Sequence, residues 1–217
     1  MSDRLIKELT QLSAEINTAI DNTFTQIREP QILYEASQHL IHAGGKRLRP
    51  FLTLKACELV GGRREAALPA SVAVELIHNF TIIHDDIMDQ DSKRRGVPTV
   101  HVLWGVPLAI NSGDLLFAKA HAAVLQSSIS ARRLLKIVAT FTDATINICE
   151  GQALDMLFEK NTEVSEKQYL NMVYKKTAVL LFIRTPNQAE IPAFHLDTVE
   201  KTPRAGGDTA TVLARCI

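Results

Sequence analysis

Apolar residues recur along this chain every three or four positions, the period of an amphipathic α-helix. Leu5, Leu9, Leu12, Ile16, Ile20 and Phe24 form the first such stripe, with Ser2 placed to cap it. Pro30 opens a second helix, where a missing N–H costs nothing, and the stripe Leu33, Ala36, Leu40 runs on to Gly44-Gly45. A third helix is expected after Pro50, through Phe51, Leu54 and Leu59, stopping at Gly61-Gly62. Pro69 starts a fourth, marked by Val72, Leu76, Phe80, Ile83 and Ile87. Arg94 to Val106 reads as a loop, broken by Gly96, Pro98 and Gly105 and followed by Pro107. Further helices are expected over Leu108 to Leu125, Ala131 to Phe158 and Glu166 to Ile183. No segment alternates with period two over a strand's length, so the expected fold is an all-α helical bundle.

The pattern breaks near Thr185. From there to Ile217 come Pro186, Pro192 and Pro203, the Gly206-Gly207 pair and several threonines, with no long apolar stripe. Residues 1–183 are therefore expected to form the helical domain and residues 184–217 an irregular tail.

Composition narrows the classes. The 217 residues are 46% hydrophobic and 22% charged, ordinary for a globular chain. Lys plus Arg and Asp plus Glu both total 24, so no basic excess points to nucleic acid. Any phosphate chemistry must come from local clusters. Cys57, Cys149 and Cys216 have no metal-ligand or disulfide spacing and fit a reducing cytoplasm. The N-terminus has no signal-peptide pattern, and no apolar run approaches the ~20 residues that cross a bilayer. A soluble, cytoplasmic protein is the expectation.

Three clusters carry candidate chemistry. In Ile82-Ile83-His84-Asp85-Asp86-Ile87-Met88-Asp89-Gln90-Asp91, a helix puts Asp85 and Asp89 on one face. Like charges so spaced call for a cation or for water, and hard oxygen ligands suit magnesium bridging to phosphates. Taken alone, a solvated acidic helix end explains them as well. Gly44-Gly45-Lys46-Arg47-Leu48-Arg49-Pro50 sets three cations at a helix junction where glycines admit close backbone approach. Lys93-Arg94-Arg95-Gly96 adds a third group. Either basic segment by itself fits a solvated loop equally well.

Together these clusters resemble the trans-isoprenyl diphosphate synthase (polyprenyl synthetase) family, in particular its archaeal-type geranylgeranyl and farnesyl diphosphate synthases. The resemblance continues through Pro98-Thr99-Val100-His101, Gly113-Asp114-Leu115-Leu116-Phe117-Ala118, Glu150-Gly151-Gln152-Ala153-Leu154-Asp155 and Lys176-Thr177-Ala178, covering roughly Leu5 to Leu181. It implies a helical bundle around a central cavity and a magnesium-dependent condensation of isopentenyl diphosphate with an allylic diphosphate. It also implies a homodimer, or pairing with a full-length synthase. By resemblance, Lys46, Arg49, His78 and Arg95 would hold isopentenyl diphosphate. Asp85, Asp89 and Asp155 would serve the metal, with Asp86 and Asp91 as supporting acids. Arg94, Lys176 and Thr177 would grip the allylic diphosphate, and Gln152 would sit near the reacting carbons. His78 also lies two helical turns before Asp85, on the same face. Phe80 and Thr81, five and four residues before the first aspartate, match the family's chain-length positions and imply C15–C20 products. On helix pattern alone, Phe80 reads equally well as core.

One departure stands out. The family's second Asp-Asp-x-x-Asp motif is absent; after Leu181 the acids Glu190, Asp197, Glu200 and Asp208 are isolated. The bundle is therefore expected to be incomplete at its C-terminus and activity impaired. Two other readings follow: a non-catalytic partner subunit, and a metal phosphohydrolase using His78, His84-Asp85 and Asp143.

Overall fold

The structure is a computed structural model that describes residues 3–25, 29–161 and 163–181. Ser2, Ile183 and the whole segment 184–217 lie outside the described residues. The elements run α1 (Asp3–Asn22), α2 (Gln31–His42), α3 (Leu48–Leu59), α4 (Arg64–Met88), a minimal hairpin of β1 (Lys93–Arg94) and β2 (Val97–Pro98), α5 (Val100–Trp104), α6 (Val106–Leu125), α7 (Ala131–Phe158) and α8 (Glu166–Val173). A single wide π turn (Tyr174–Ala178) then leads into α9 (Val179–Leu181).

α4 is the central helix. It packs most heavily on α6 and α3, and its residues from Ala70 to Ile77 are buried on every side. A helix apolar all round belongs inside a bundle. By length and composition alone, α4 is apolar enough to cross a bilayer, contrary to the expectation from apolar runs; two thirds of its most apolar window is buried within this bundle. The α1 stripe docks Leu12, Ile16, Ile20 and Phe24 into the same core, while Leu5 stays at the surface.

Two helix starts differ from expectation. α3 begins at Leu48, not after Pro50, because the proline fits within a first turn whose N–H groups have no intrahelical acceptor. α4 begins at Arg64 and carries Pro69 inside. Pro69 cannot donate to the Glu65 carbonyl one turn back, but Glu65 is exposed and water can serve it. The segment expected as loop holds the β1–β2 hairpin, paired Lys93 with Pro98 and Arg94 with Val97, and the short helix α5. A ladder two residues long leaves no alternation to read.

The far side of the site is set by α7, α8 and the π turn. Ser165 and Gln168 form a capping box that starts α8. Gly151 on α7 allows the π turn to lie directly on it: a Cβ there would stand 2.3 Å from the Lys176 backbone nitrogen. That neighbour is main chain and cannot rotate away. Gly151→Ala should therefore lower stability by about 2–3 kcal/mol, read as an earlier urea midpoint, with the loss centred on Lys175–Thr177 in amide exchange.

Candidate active site

Below its buried middle, α4 turns from core to chemistry. Asp85, one turn before the helix end, and Asp89, the C-cap residue, stack through the Asp89 N–H to Asp85 carbonyl bond of 2.8 Å. Neither carboxylate takes a hydrogen bond or ion pair from a described residue. Burial raises the Asp85 carboxyl to about 6; Lys176 and Arg94 pull it down, Asp89 and Asp86 push it up. Asp86, turned further inward on the helix, is 1% exposed and tied to Arg94, whose Nε donates to Asp86 Oδ1 at 2.7 Å. Arg94 also pairs with Asp91 at 3.0 Å. Burial raises the Asp86 carboxyl more than the Arg94 bond lowers it, and its Oδ2 has no partner. Asp86 and Asp91 thus aim Arg94, whose charge acts on Asp85.

From the facing wall, Lys176 Nζ donates to Asp155 Oδ2 at 2.5 Å and lies in electrostatic reach of Asp85 and Asp89. Burial lowers the Lys176 ammonium, but Asp155 and the two α4 aspartates raise it further. Gln152 is buried, its Nε2 3.9 Å from Met88 Sδ, which brings α7 onto the end of α4. Thr177 is exposed and makes no side-chain hydrogen bond to a described residue.

The implied metal set of Asp85, Asp89 and Asp155 is not assembled as such. Among the described residues no three acidic, His or Cys side chains converge as metal ligands, and Asp155 is taken by Lys176. The free pair Asp85 and Asp89 nevertheless suits magnesium, which keeps several waters and uses one or two carboxylates plus phosphate oxygens. A half-buried carboxyl held near 6 gains from a nearby cation.

The cationic group lies one to three turns back along α4. His78 Nε2 is 3.2 Å from Arg49 Nη1; the guanidinium can only donate, so this nitrogen accepts. Burial, then the charges of Arg49, Arg95, Arg47 and Arg94, depress His78 to about 3. Arg95, in the left-handed region at φ 54°, donates through Nη1 to the carbonyls of Leu40 (2.6 Å) and Gly44. Burial lowers both Arg49 and Arg95. Lys46 is exposed beside them. Gly45 is needed here for space, since a Cβ would meet Arg47 Nη1 at 3.1 Å and the Arg95 guanidinium at 3.4 Å.

Phe80 points at α6, its ring 4.8 Å from His84 and 5.3 Å from Phe117, with His121 stacked 4.5 Å beyond. Deeper still, Ile77, His121, Val124, Val138 and Phe141 close a gap with no room for water. Thr81 bonds back to the His78 carbonyl at 2.9 Å. For the hydrolase reading, His78 is turned to Arg49, His84 to the Ile110 carbonyl at 3.2 Å, and Asp143 is exposed. Sequence reasoning missed Arg47, Glu75 and Asn79, all buried next to the cations. The available signal was Glu75 inside the apolar run Val72–Ile77.

A helical bundle that presents two carboxylates without a bonded cation at one helix end, with arginines and a lysine around them, fits the class of helical isoprenoid synthases. The polyprenyl synthetase family profile matches residues 30–195, and the chain belongs to that family. It is 48% identical over 176 residues to geranylgeranyl diphosphate synthase of Methanosarcina mazei, covering 81% of this chain and 54% of that one. It is 51% identical over 156 residues to a short chain isoprenyl diphosphate synthase of Methanothermobacter thermautotrophicus, covering 72% of this chain and 48% of that one. The fold matches geranylgeranyl pyrophosphate synthetase of Pyrococcus horikoshii with a TM-score of 0.79 at 42% identity, over 82% of this chain and 54% of that one. The chain thus spans about half the length of these relatives.

The depressed His78 fixes one pH response. Its unfolded imidazole protonates near 6.5 but the folded one only near 3, so the unfolded state binds more protons in between and stability falls as pH drops. Between pH 6.5 and pH 4 this costs on the order of 3 kcal/mol. The Asp85 carboxyl, raised to about 6, acts in the opposite direction over the same range, so the His78 contribution is read as a difference: on going from pH 7 to pH 4 in urea unfolding, His78→Gln should fare better than the unaltered chain by about that amount.

Proposed function

We propose that this chain carries the substrate-binding half-site of a magnesium-dependent trans-prenyltransferase that joins isopentenyl diphosphate to an allylic diphosphate. One observation supports this most: two partnerless carboxylates, Asp85 and Asp89, end the same helix that bears His78 among arginines. A hydrolase would need metal ligands converging on a water. A prenyl transfer needs two separate diphosphate seats with apolar space between and below them.

In this reading Lys46, Arg49, His78 and Arg95 seat isopentenyl diphosphate, and Arg94, Lys176 and Thr177 seat the allylic diphosphate. His78 stays neutral, orients Arg49 through Nε2, and keeps its other ring nitrogen for a phosphate oxygen. Asp85 and Asp89, with Asp155 through water, would hold magnesium, which when bound draws charge from the departing diphosphate. Arg94 and Lys176 stabilise the same developing charge. The allylic carbon–oxygen bond breaks and the electron pair leaves with diphosphate. The double bond of isopentenyl diphosphate supplies the electrons of the new carbon–carbon bond, and a proton then passes to the released diphosphate. Gln152 borders the reacting carbons, and the apolar walls keep water from the cation.

The Phe80–Phe117–His121 stack supports a shallow elongation space and thus a C15–C20 product. Exposed Val102, Leu103, Val106 and Ile110 on α5 and α6 support pairing with a second synthase chain.

Isopentenyl and farnesyl diphosphates plus magnesium should release diphosphate only when both substrates are present. Because the second aspartate-rich motif is missing from the sequence, the rate should lie far below that of a full-length relative. Diphosphate release from either substrate alone would exclude condensation. Asp85→Asn should weaken magnesium-dependent pyrophosphate binding at least ~10-fold in calorimetry, and unchanged binding would take Asp85 out of the site. Where product forms, Phe80→Ala should lengthen it by at least one five-carbon unit, read by chromatography of the dephosphorylated alcohols.

A further inference from the structure

Arg95 is repelled by Arg47 and Arg94, and Arg49 and Arg95 both lie on segments without regular structure or at its edge. Something must hold them in register before a substrate arrives. Close to Arg95, across Gly45, lies Arg47 with its guanidinium. Its φ of 48° is a left-handed conformation that a non-glycine residue adopts only when its surroundings insist. Its side chain, 4% exposed, shows what insists: Nε donates to Asn17 Oδ1 at 2.7 Å, Nη1 to Glu75 Oε1 at 2.8 Å and Nη2 to the Ile41 carbonyl at 2.6 Å. One guanidinium thus joins α1, α4 and the end of α2 to the glycine loop.

We propose that Glu75 is the positioning residue of the cation cluster: it anchors Arg47 and, through Asn79, Arg95, so that Lys46, Arg49 and Arg95 face one diphosphate. The Glu75 carboxylate also accepts from Asn79 Nδ2 at 3.3 Å, and Asn79 Oδ1 is 3.5 Å from Arg95 Nη1. Asn79 is fully buried and fixed to α4 by its bond to the Glu75 carbonyl at 2.8 Å. Arg95 in turn reaches across to the Leu40 and Gly44 carbonyls. The loop at residues 44–47 and the hairpin residue Arg95 are therefore tied to the same carboxylate, 3% exposed, on a helix that cannot move. Its charge also acts on Arg49 and Arg95 directly, and at Arg95 it offsets the repulsion of Arg47 and Arg94. This inference rests on reading Lys46, Arg49 and Arg95 as diphosphate ligands.

The test turns on a sign. By Coulomb's law alone, removing an anion beside three arginines strengthens their hold on another anion. If Glu75 positions the cations, removing its charge weakens it. Titrating the full chain with inorganic pyrophosphate, without divalent metal, Glu75→Gln should lose affinity about tenfold or more while circular dichroism shows the fold intact. Equal or tighter binding overturns the proposal. Should Glu75→Gln not fold, Asn17→Ala decides: it removes one exposed acceptor of Arg47 and should cost about two- to fivefold, and no change overturns it. Where turnover is measurable, KM for isopentenyl diphosphate should rise with the affinity loss while KM for the allylic substrate stays within about twofold; equal rises overturn it. If the unaltered chain binds no pyrophosphate, the functional reading above is what fails. Amide exchange then judges Glu75 on its own: faster exchange in Glu75→Gln confined to residues 43–49 and 94–96 supports it, and unchanged exchange there overturns it.

Discussion

Like charges brought close together must be compensated by counter-charge, ligand or water, and both halves of this site are built around that requirement, the arginines in the interior and Asp85 and Asp89 at its edge, where Asp89 is exposed. The arginines at positions 47, 49 and 95 are held together by one buried carboxylate and by a histidine that burial and its cationic neighbours keep neutral. The aspartates at 85 and 89 are left bare, with Lys176 and Arg94 near enough to moderate them but not bonded to them. One carboxylate offsets only part of the arginine charge, so the cation group keeps a net positive field, whereas Asp85 and Asp89 carry no bonded cation from a described residue.

α4 ties the two halves together. Its middle, from Ala70 to Ile77, must satisfy core packing on all sides, and it does so with small and branched apolar residues. The polar exceptions, Glu75 and Asn79, are tolerated because each finds its partners at once. Near its end the same helix presents alternate sides: Asp86 inward to Arg94, Asp85 and Asp89 toward Lys176. The hairpin that follows holds Arg94 and Arg95 on successive residues facing different carboxylate systems. Two adjacent arginines reach different partners because the φ of 54° at Arg95 turns the chain between them.

Most of the helical architecture is legible in the sequence, because burial imposes a period and the period survives in the residues. α7 runs over the span its stripe indicates, since Ser130 precedes it and nothing inside it breaks the pattern. Prolines mislead at α3 and α4 because a proline is tolerated through the first turns, not only at the first residue. Phe80 illustrates a different limit: its apolar character is plain, but which neighbour it meets depends on how α6 lies against α4. Of the site, the motifs bring the ligating side chains into view but not what supports them. Arg47 sits among three cations that look equivalent as letters; only its three acceptors, drawn from α1, α2 and α4, separate it from Arg49. The sharing of Asp155 with Lys176 is likewise a matter of geometry that spacing cannot express.

The π turn at Tyr174–Ala178 changes how the helical segment Glu166–Leu181 presents its side chains. It takes one more residue than an α turn to make the same circuit, and one residue is about 100° of rotation. Side chains before and after it therefore belong to stripes offset by roughly a quarter of a circle, so a single heptad drawn across Glu166–Leu181 misassigns the inward face on one side of the bulge. Dropping one residue from this stretch would restore an unbroken spiral and swing Lys176 off Asp155. The length of this segment, more than its composition, sets which side chains face Asp155.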